Sequence, residues 1–434
     1  MRWIIVRVQI LEKKVREKLR QRRKMLKIFK SPTAKRLSRL LIVWIWCLLI
    51  LPAAVASAAE AGENLQTGFD QLLGLVDNGT TFSVEAVAPI LEFMAAEKDP
   101  DTVHDFGVRD GARSAYNEFD LGKDLKTIIR YAYNPKIPTH VFRPTTVRLT
   151  RWLEVDGEKQ PLPDLWKKYP FSSTPLIVRG TEYEESTPEV ATGACYGYDL
   201  RRALAAFSYE GKNVFVSVSK QNGKSRKGTK GICLGGEDSW DFIYTAEVGL
   251  TKGGLSWAET HIYDAASVSI YYEVDRDKPL VRCGVFKWIE AGWAGLNFVK
   301  SKHIHKGIER FAQGLSTTIQ HPRLPEPERL IGLFEWIEGL PRERMAVKVN
   351  SYLQDLRTRY AQEEVLSTKS FEALLAEGNY AGRLTQEQME SVLTLECMKW
   401  ILGRATVLEK DFLSAPDPLG KRLSRRGLPL KHLN

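Results

Sequence analysis

The sequence predicts an α+β protein: an antiparallel curved sheet packed on a long helix, followed by a mainly α-helical C-terminal domain. Three observations carry that expectation. Between residues 213 and 321, apolar side chains recur at every second position in several successive runs, the period of strands with one buried face. The same stretch closes with Ile304, Ile308, Phe311, Leu315 and Ile319, the spacing of an apolar helical stripe, and His321-Pro322 stops it. From Leu324 onward the strand period gives way to helical stripes.

Length and charge bound the function. The chain has 434 residues, room for two domains or one large one. Its net charge of +10 is unevenly placed. Residues 1–58 carry 15 Lys and Arg against only Glu12 and Glu17, so the rest holds 48 basic and 51 acidic side chains, a net of −3. A nearly neutral body argues against a nucleic-acid partner.

The leader has the parts of a secretion signal: the basic Lys35-Arg36-Leu37-Ser38-Arg39, an apolar run over 40–51, Pro52, and the small-residue site Ala56-Ser57-Ala58. Cleavage between Ala58 and Ala59 is expected, delivering the protein to the periplasm of a bacterial envelope. The alternative is an uncleaved inner-membrane anchor over 40–56, whose 17 uncharged residues reach the lower limit for a span. Residues 1–24 exceed what a signal needs, and Met25 offers a second start; if Met1 is used, Ile4, Val8, Leu11, Val15 and Leu19 line one side of a basic helix suited to anionic lipid. Cys47 lies within the apolar run and has no expected role after processing.

Residues 59–110 are expected as N-terminal helices, one carrying Leu65, Phe69, Leu72, Leu73 and Val76, the next starting near Pro89. The α+β domain is placed at 111–323. It opens with a short helix over 123–131, then a strand over 147–155 turned by Asp156-Gly157. Asp199 is read as the cap of a helix bearing Leu200, Leu204 and Phe207. Strands are expected at 214–218, 240–250, 255–263, 268–274 and 280–289. The loop 220–230, with Lys220, Lys224, Arg226, Lys227 and Lys230, reads either as a solvated hairpin tip or as a phosphate-reaching loop, and it lacks a nucleotide-loop glycine pattern. A helical domain is assigned to 324–415, its last helix opened by the capping box Thr385-Gln386-Glu387-Gln388. Residues 416–434 form a basic tail, expected to be disordered.

The candidate site lies in a hairpin centred on Lys252-Gly253. That register sets Trp257 opposite Val248, Glu259 opposite Ala246 and His261 opposite Tyr244. Glu259, His261, Tyr244 and Trp257 would then share an aromatic wall, where an acid and an imidazole need partners: each other, a ligand or water. Four cysteines survive cleavage. Cys195 and Cys233 sit in Gly-flanked segments and are expected to pair as a disulfide, whereas Cys283 and Cys397 read as small buried hydrophobes. His303 and His305 flank an apolar helix position beside Lys302 and Lys306, a poor setting for a metal. Cys195 before a helix, with His261 downstream, is the one candidate nucleophile.

The segment Trp288-Ile289-Glu290-Ala291-Gly292-Trp293-Ala294-Gly295-Leu296-Asn297-Phe298-Val299-Lys300, a strand exit through a Gly/Trp turn into a long helix, resembles the helix-grip pattern of START-type lipid-binding domains. The resemblance covers about residues 115–321 and implies a sheet wrapped round a final helix with an apolar cavity between them. It implies a lipid or other hydrophobic small molecule as partner and no cofactor. The expectation is therefore non-catalytic binding or carriage of such a molecule, anchored by Glu259, His261 and Tyr244. The alternatives are a Cys195/His261 hydrolase and an envelope-assembly scaffold meeting a protein partner through the C-terminal helices.

Overall fold

In a computed structural model, residues 63–77, 82–96, 98, 102–254, 256–275 and 278–408 are described. The signal, its cleavage site at Ala58 and Ala59, the anchor segment 40–56 and the tail 416–434 lie outside them. From Gly68 onward the chain forms one unit, and the helices after Leu324 share a continuous apolar core with the strands.

Helix α1 covers 63–74 and α2 covers Ala88–Ala95, with a proline in its first turn as expected. Strand β1 (Arg113–Leu121) leads into α3 (Leu125–Ala132), whose N-terminus is capped by the Asp124 carboxylate accepting from the Thr127 N–H at 2.8 Å. Next come β2 (Val147–Val155), β3 (Leu176–Ser186), β4 (Ala194–Cys195), β5 (Gly197–Tyr209), β6 (Lys212–Gln221), β7 (Thr229–Leu234) and β8 (Asp241–Val248). β9 (Thr260–Asp275), β10 (Leu280–Trp293) and β11 (Leu296–Asn297) complete the strands. Helices α4 (Ser301–Ile319), α5 (Pro327–Glu338), α6 (Arg342–Arg359), α7 (Lys369–Glu377) and α8 (Gln386–Leu402) follow. The capping box at Thr385 is present, and Gly403 ends α8 with a φ of 76°.

The large antiparallel sheet runs β1-β10-β9-β6-β5-β3-β2, with β11 paired to β10; β4, β7 and β8 form a separate small sheet. Three sequence expectations are corrected here. Asp199 caps no helix, because 197–209 is a long strand paired on both sides. The stretch read as one meander makes two sheets: β6 pairs directly with β9, from Val214 opposite Tyr272 to Lys220 opposite Ala266, so the β7–β8 hairpin is an excursion. The described residues of 249–259 form no strand, and β8 has no partner among them. Ala246, at a φ of 63°, and Gly249, at 129°, bend the chain away before any such pairing.

Strand β8 is the outer strand of its sheet, and the C-terminal helices close it. The Tyr352 hydroxyl accepts from the Phe242 N–H and donates to the Phe242 carbonyl, both at 2.9 Å, and the Tyr380 hydroxyl accepts from the Tyr244 N–H at 3.2 Å. Beside them the buried Lys399 ammonium bridges Asp241 at 2.5 Å and Glu396 at 2.6 Å, while Asp241 also accepts from Arg359 and Tyr360. Every charge in this knot has a partner, as burial demands.

The two faces of the large sheet differ. One carries Val214, Val216, Val218, Val268, Ile270, Phe286 and Trp288, all buried. Phe69 of α1 lies 4.7 Å from Phe286 between ring centres, and Phe93 of α2 lies 5.2 Å from Tyr116. Met94 occupies the space left by the missing side chain of Gly284. The opposite face meets α4, where Phe311 packs on Phe119, and meets Tyr133 after α3, which packs on Phe215.

Candidate functional site

On the face toward α4 the central strands alternate valine or isoleucine outward with serine inward: Ser217 and Ser219 on β6, Ser267 and Ser269 on β9. Register then aligns a polar row across four strands, Lys287 (β10), Ser267, Ser219 and Arg202 (β5), with Gly180 of β3 at its end. Ser267, Ser269 and Lys287 keep partial exposure on central strands, where Val268 and Ile270 have none, while Ser217, Ser219, Phe215, Tyr271, Cys283 and Val285 on the same face are buried.

A cavity of about 660 Å³ lies to one side of these rows and meets them at Arg202. It opens between the segment 132–143, strand β2, the loop 159–162 and helices α5 and α8. Arg143, Glu182 and Arg202 stand at its buried side; Tyr133, Ile137, Leu149, Trp152, Leu162 and Phe334 supply apolar wall; Glu335, Glu338, Glu387 and Glu390 ring the helical lip.

The buried charges are unequally matched. Arg202 donates through Nε to Glu182 and through a terminal nitrogen to the Ser217 hydroxyl at 3.0 Å, with Glu184 at 3.9 Å. Glu184 also accepts from the Tyr198 hydroxyl at 2.5 Å. Lys287 has no hydrogen-bond or ion-pair partner among the described residues, and Arg143 has only the Phe311 ring, 5.6 Å from its guanidinium carbon. Burial pushes the Lys287 amine below its usual range; Glu184 opposes this, and the charges of Arg143, Arg310 and Arg202 reinforce it. Burial also weighs against the Arg143 charge, but Tyr133, Tyr271, Glu184 and Glu182 carry it above its ordinary value. His140, buried on the cavity wall with Nε2 2.7 Å from the Thr394 hydroxyl, is pushed down to about 4 by burial.

The residues expected to form the site do not meet. Trp257 is 71% exposed on the loop before β9. Glu259 is exposed and paired with Lys227 at 2.5 Å. His261 lies opposite Gly292, with Nδ1 3.0 Å from the Ser225 carbonyl. Tyr244 is buried on the small sheet beneath the Arg148 guanidinium, 3.7 Å from its ring centre. The assumed hairpin register is the cause: Tyr244 pairs with Gly231 of β7 instead.

Cys195 and Cys233 are free thiols, as are the buried Cys283 and Cys397. Cys195 faces Thr229 in the small sheet, whereas Cys233 lies further along β7 opposite Phe242. With strand rather than helix after it, Cys195 gains no helix-terminus stabilisation, and burial pushes its thiol up to about 12. His305 spends Nδ1 on the Tyr116 carbonyl at 2.8 Å. In the loop 220–230, Lys227 and Lys230 pair with Glu259 and Glu247, and Arg226 lies over the Tyr183 ring.

The serine alternation, Val216-Ser217-Val218-Ser219 and Ser267-Val268-Ser269-Ile270, was the available signal for a polar row on the second face of these strands. Compared with known proteins, the sequence matches no family model and no curated protein.

Proposed function

We propose that this is a non-catalytic binding or carrier protein of the bacterial cell envelope, with a helix-grip-like sheet and a ligand chamber beside it, between β2, the segment 132–143 and helices α5 and α8. Its cargo is a lipid or another small molecule with a largely apolar body. The observation that carries the reading is the cavity of about 660 Å³, within the size of small-molecule sites, roughly 300–1,000 Å³, where Tyr133, Ile137, Leu149, Trp152, Leu162 and Phe334 make apolar wall among many polar and charged side chains. Two features of the sheet support it. Its first and last strands, β1 and β10, lie side by side, and the helix that follows β10 and β11 packs over the same face. The polar anchors assigned here are Arg143 and Arg202 in place of Glu259, His261 and Tyr244.

The test is purification of the exported chain followed by solvent extraction and mass spectrometry, with titration of the neutral dye Nile red into the extracted protein. A stoichiometric small molecule and saturable dye binding are expected. Extracts with no such molecule, together with no saturable dye binding, would sink the proposal.

A further inference from the structure

Resting on the chamber being a ligand site, we propose that its cargo is a peptide: an extended run of amide-linked, mainly apolar residues with a cationic group, lying along the free edge of β2. Five successive residues of β2, 149–153, line the cavity. Side chains along a strand point alternately to opposite faces, so a cavity beside one face would collect every second residue. Consecutive residues share one cavity where the strand turns its edge toward it. β2 is the last strand of the large sheet and pairs only with β3.

The chain around that edge leaves it open. An antiparallel strand directs alternate N–H and carbonyl pairs away from its partner. Near one end of β2 the Arg148 carbonyl accepts from the Ser391 hydroxyl of α8, and at the other Val155 forms a bridge with Glu158. Between them, over 149–153, the backbone bonds nothing but β3 among the described residues. The chain returning from the Asp156-Gly157 turn does not continue that bridge as a further strand, and Pro161 and Pro163 bring no N–H with which to do so. A stretch of edge about 17 Å long thus faces the cavity with donors and acceptors unspent. A hydrocarbon chain laid there would cover those groups without bonding them, at a cost, whereas an extended peptide bonds them as an added strand does. The charge of the lip complements a basic peptide. Lys136 takes Glu335 at 3.2 Å and Arg151 takes Glu387 at 2.5 Å. Glu338 and Glu390 make no ion pair among the described residues, with Lys159 and Arg143 or with any other cation. Burial, opposed by a hydrogen bond from Gln386, holds the Glu390 carboxyl above its ordinary range, and the charges of Glu338 and Glu387 add to it. A lysine or an amino terminus on the bound peptide supplies the missing cation.

The test uses the full exported chain, immobilised, and two libraries of end-blocked hexapeptides with Val, Leu, Thr or Lys at each central position. The libraries are alike except that one is methylated at every central amide nitrogen. Mass spectrometry of retained peptides should show the unmethylated library held about tenfold or more above the methylated one, because methylation removes the donors that pair with β2. Lysine should be enriched among the retained peptides, and Glu338→Gln with Glu390→Gln should reduce that enrichment. Hydrogen exchange should slow at the amides of 149–153 when a retained peptide is added, with no change in β8. Equal retention of the two libraries, or protection that falls elsewhere while 149–153 exchange as before, overturns the proposal. Lysine enrichment that persists in the double variant overturns its cationic part. Saturable Nile red binding with no retained peptide overturns the peptide and leaves the chamber standing as a site for a lipid. Binding of neither dye nor peptide overturns the chamber itself as a ligand site. Should the double variant fail to fold by circular dichroism, the methylation and exchange comparisons on the wild type decide the matter.

Discussion

The two faces of the large sheet are built from the same strands and do opposite things. Toward α1 and α2, every central position is filled: Phe286, Trp288, Ile270, Val268 and Val218 interlock with Phe69, Phe93 and Met94. Toward α4, the positions between them mix buried Phe215, Tyr271 and Val285 with serines, an unpaired lysine and a matched Arg–Glu group. The lesson is that a sheet can set its apolar cohesion mainly on one side and so tolerate charged groups on the other.

The contrast can be broken most severely on the filled face. Phe286→Ala should cost about 3–5 kcal/mol, read as a lower urea midpoint with little change in slope. No comparable loss is expected from truncating the serines opposite.

On the chamber side the next largest effect is an acid response through His140. Its folded pKa, about 4, lies below the ordinary value, so between those limits the unfolded chain binds a proton that the fold refuses. Stability is complete above about pH 6.5 and falls as the pH drops toward 4, by up to about 3 kcal/mol. His140→Gln should flatten that part of the pH–stability curve.

Lys287→Met is expected to leave stability within about 1 kcal/mol, because the amine is partly exposed and has no ion-pair partner to lose, and urea denaturation beside the wild type checks it. The smallest stability change belongs to Ser267→Val, well under about 1 kcal/mol in either direction. A loss as large as that of Phe286→Ala would erase the distinction between the faces.

Much of the fold was legible because its signals are local. The helical stripe of α4, the Thr385 capping box, the Asp156-Gly157 turn and the strand over 147–155 depend on residues within a few positions of each other. Strand partners do not. The alternation from Trp240 to Leu250 locates β8 but not its burial, since both faces are covered over 241–245 while Ala246 and Val248 are exposed, and nothing in it says that β7 is the neighbour and β9 is not. The expected site failed with that register, carrying Glu259 and Trp257 to the surface and leaving Tyr244 in another sheet. The cavity escaped notice because its inner charges come from distant segments: Arg143 follows a short helical turn, and Glu182 and Arg202 lie on β3 and β5. Arg202 in particular was hidden inside the supposed helix after Asp199.

The tyrosine hydroxyls that occupy the rim of β8 set a condition on how the protein is made. Until α6 and the segment bearing Tyr380 are in place, that strand offers free N–H and carbonyl groups to any extended chain nearby, a route to aggregates. A product halted before residue 342 would be sticky at this seam, and a cell has reason to degrade it. Removing the C-terminal helices to look for a lost partner would thus manufacture insoluble material, whereas single exposed-residue exchanges on those helices keep the seam shut.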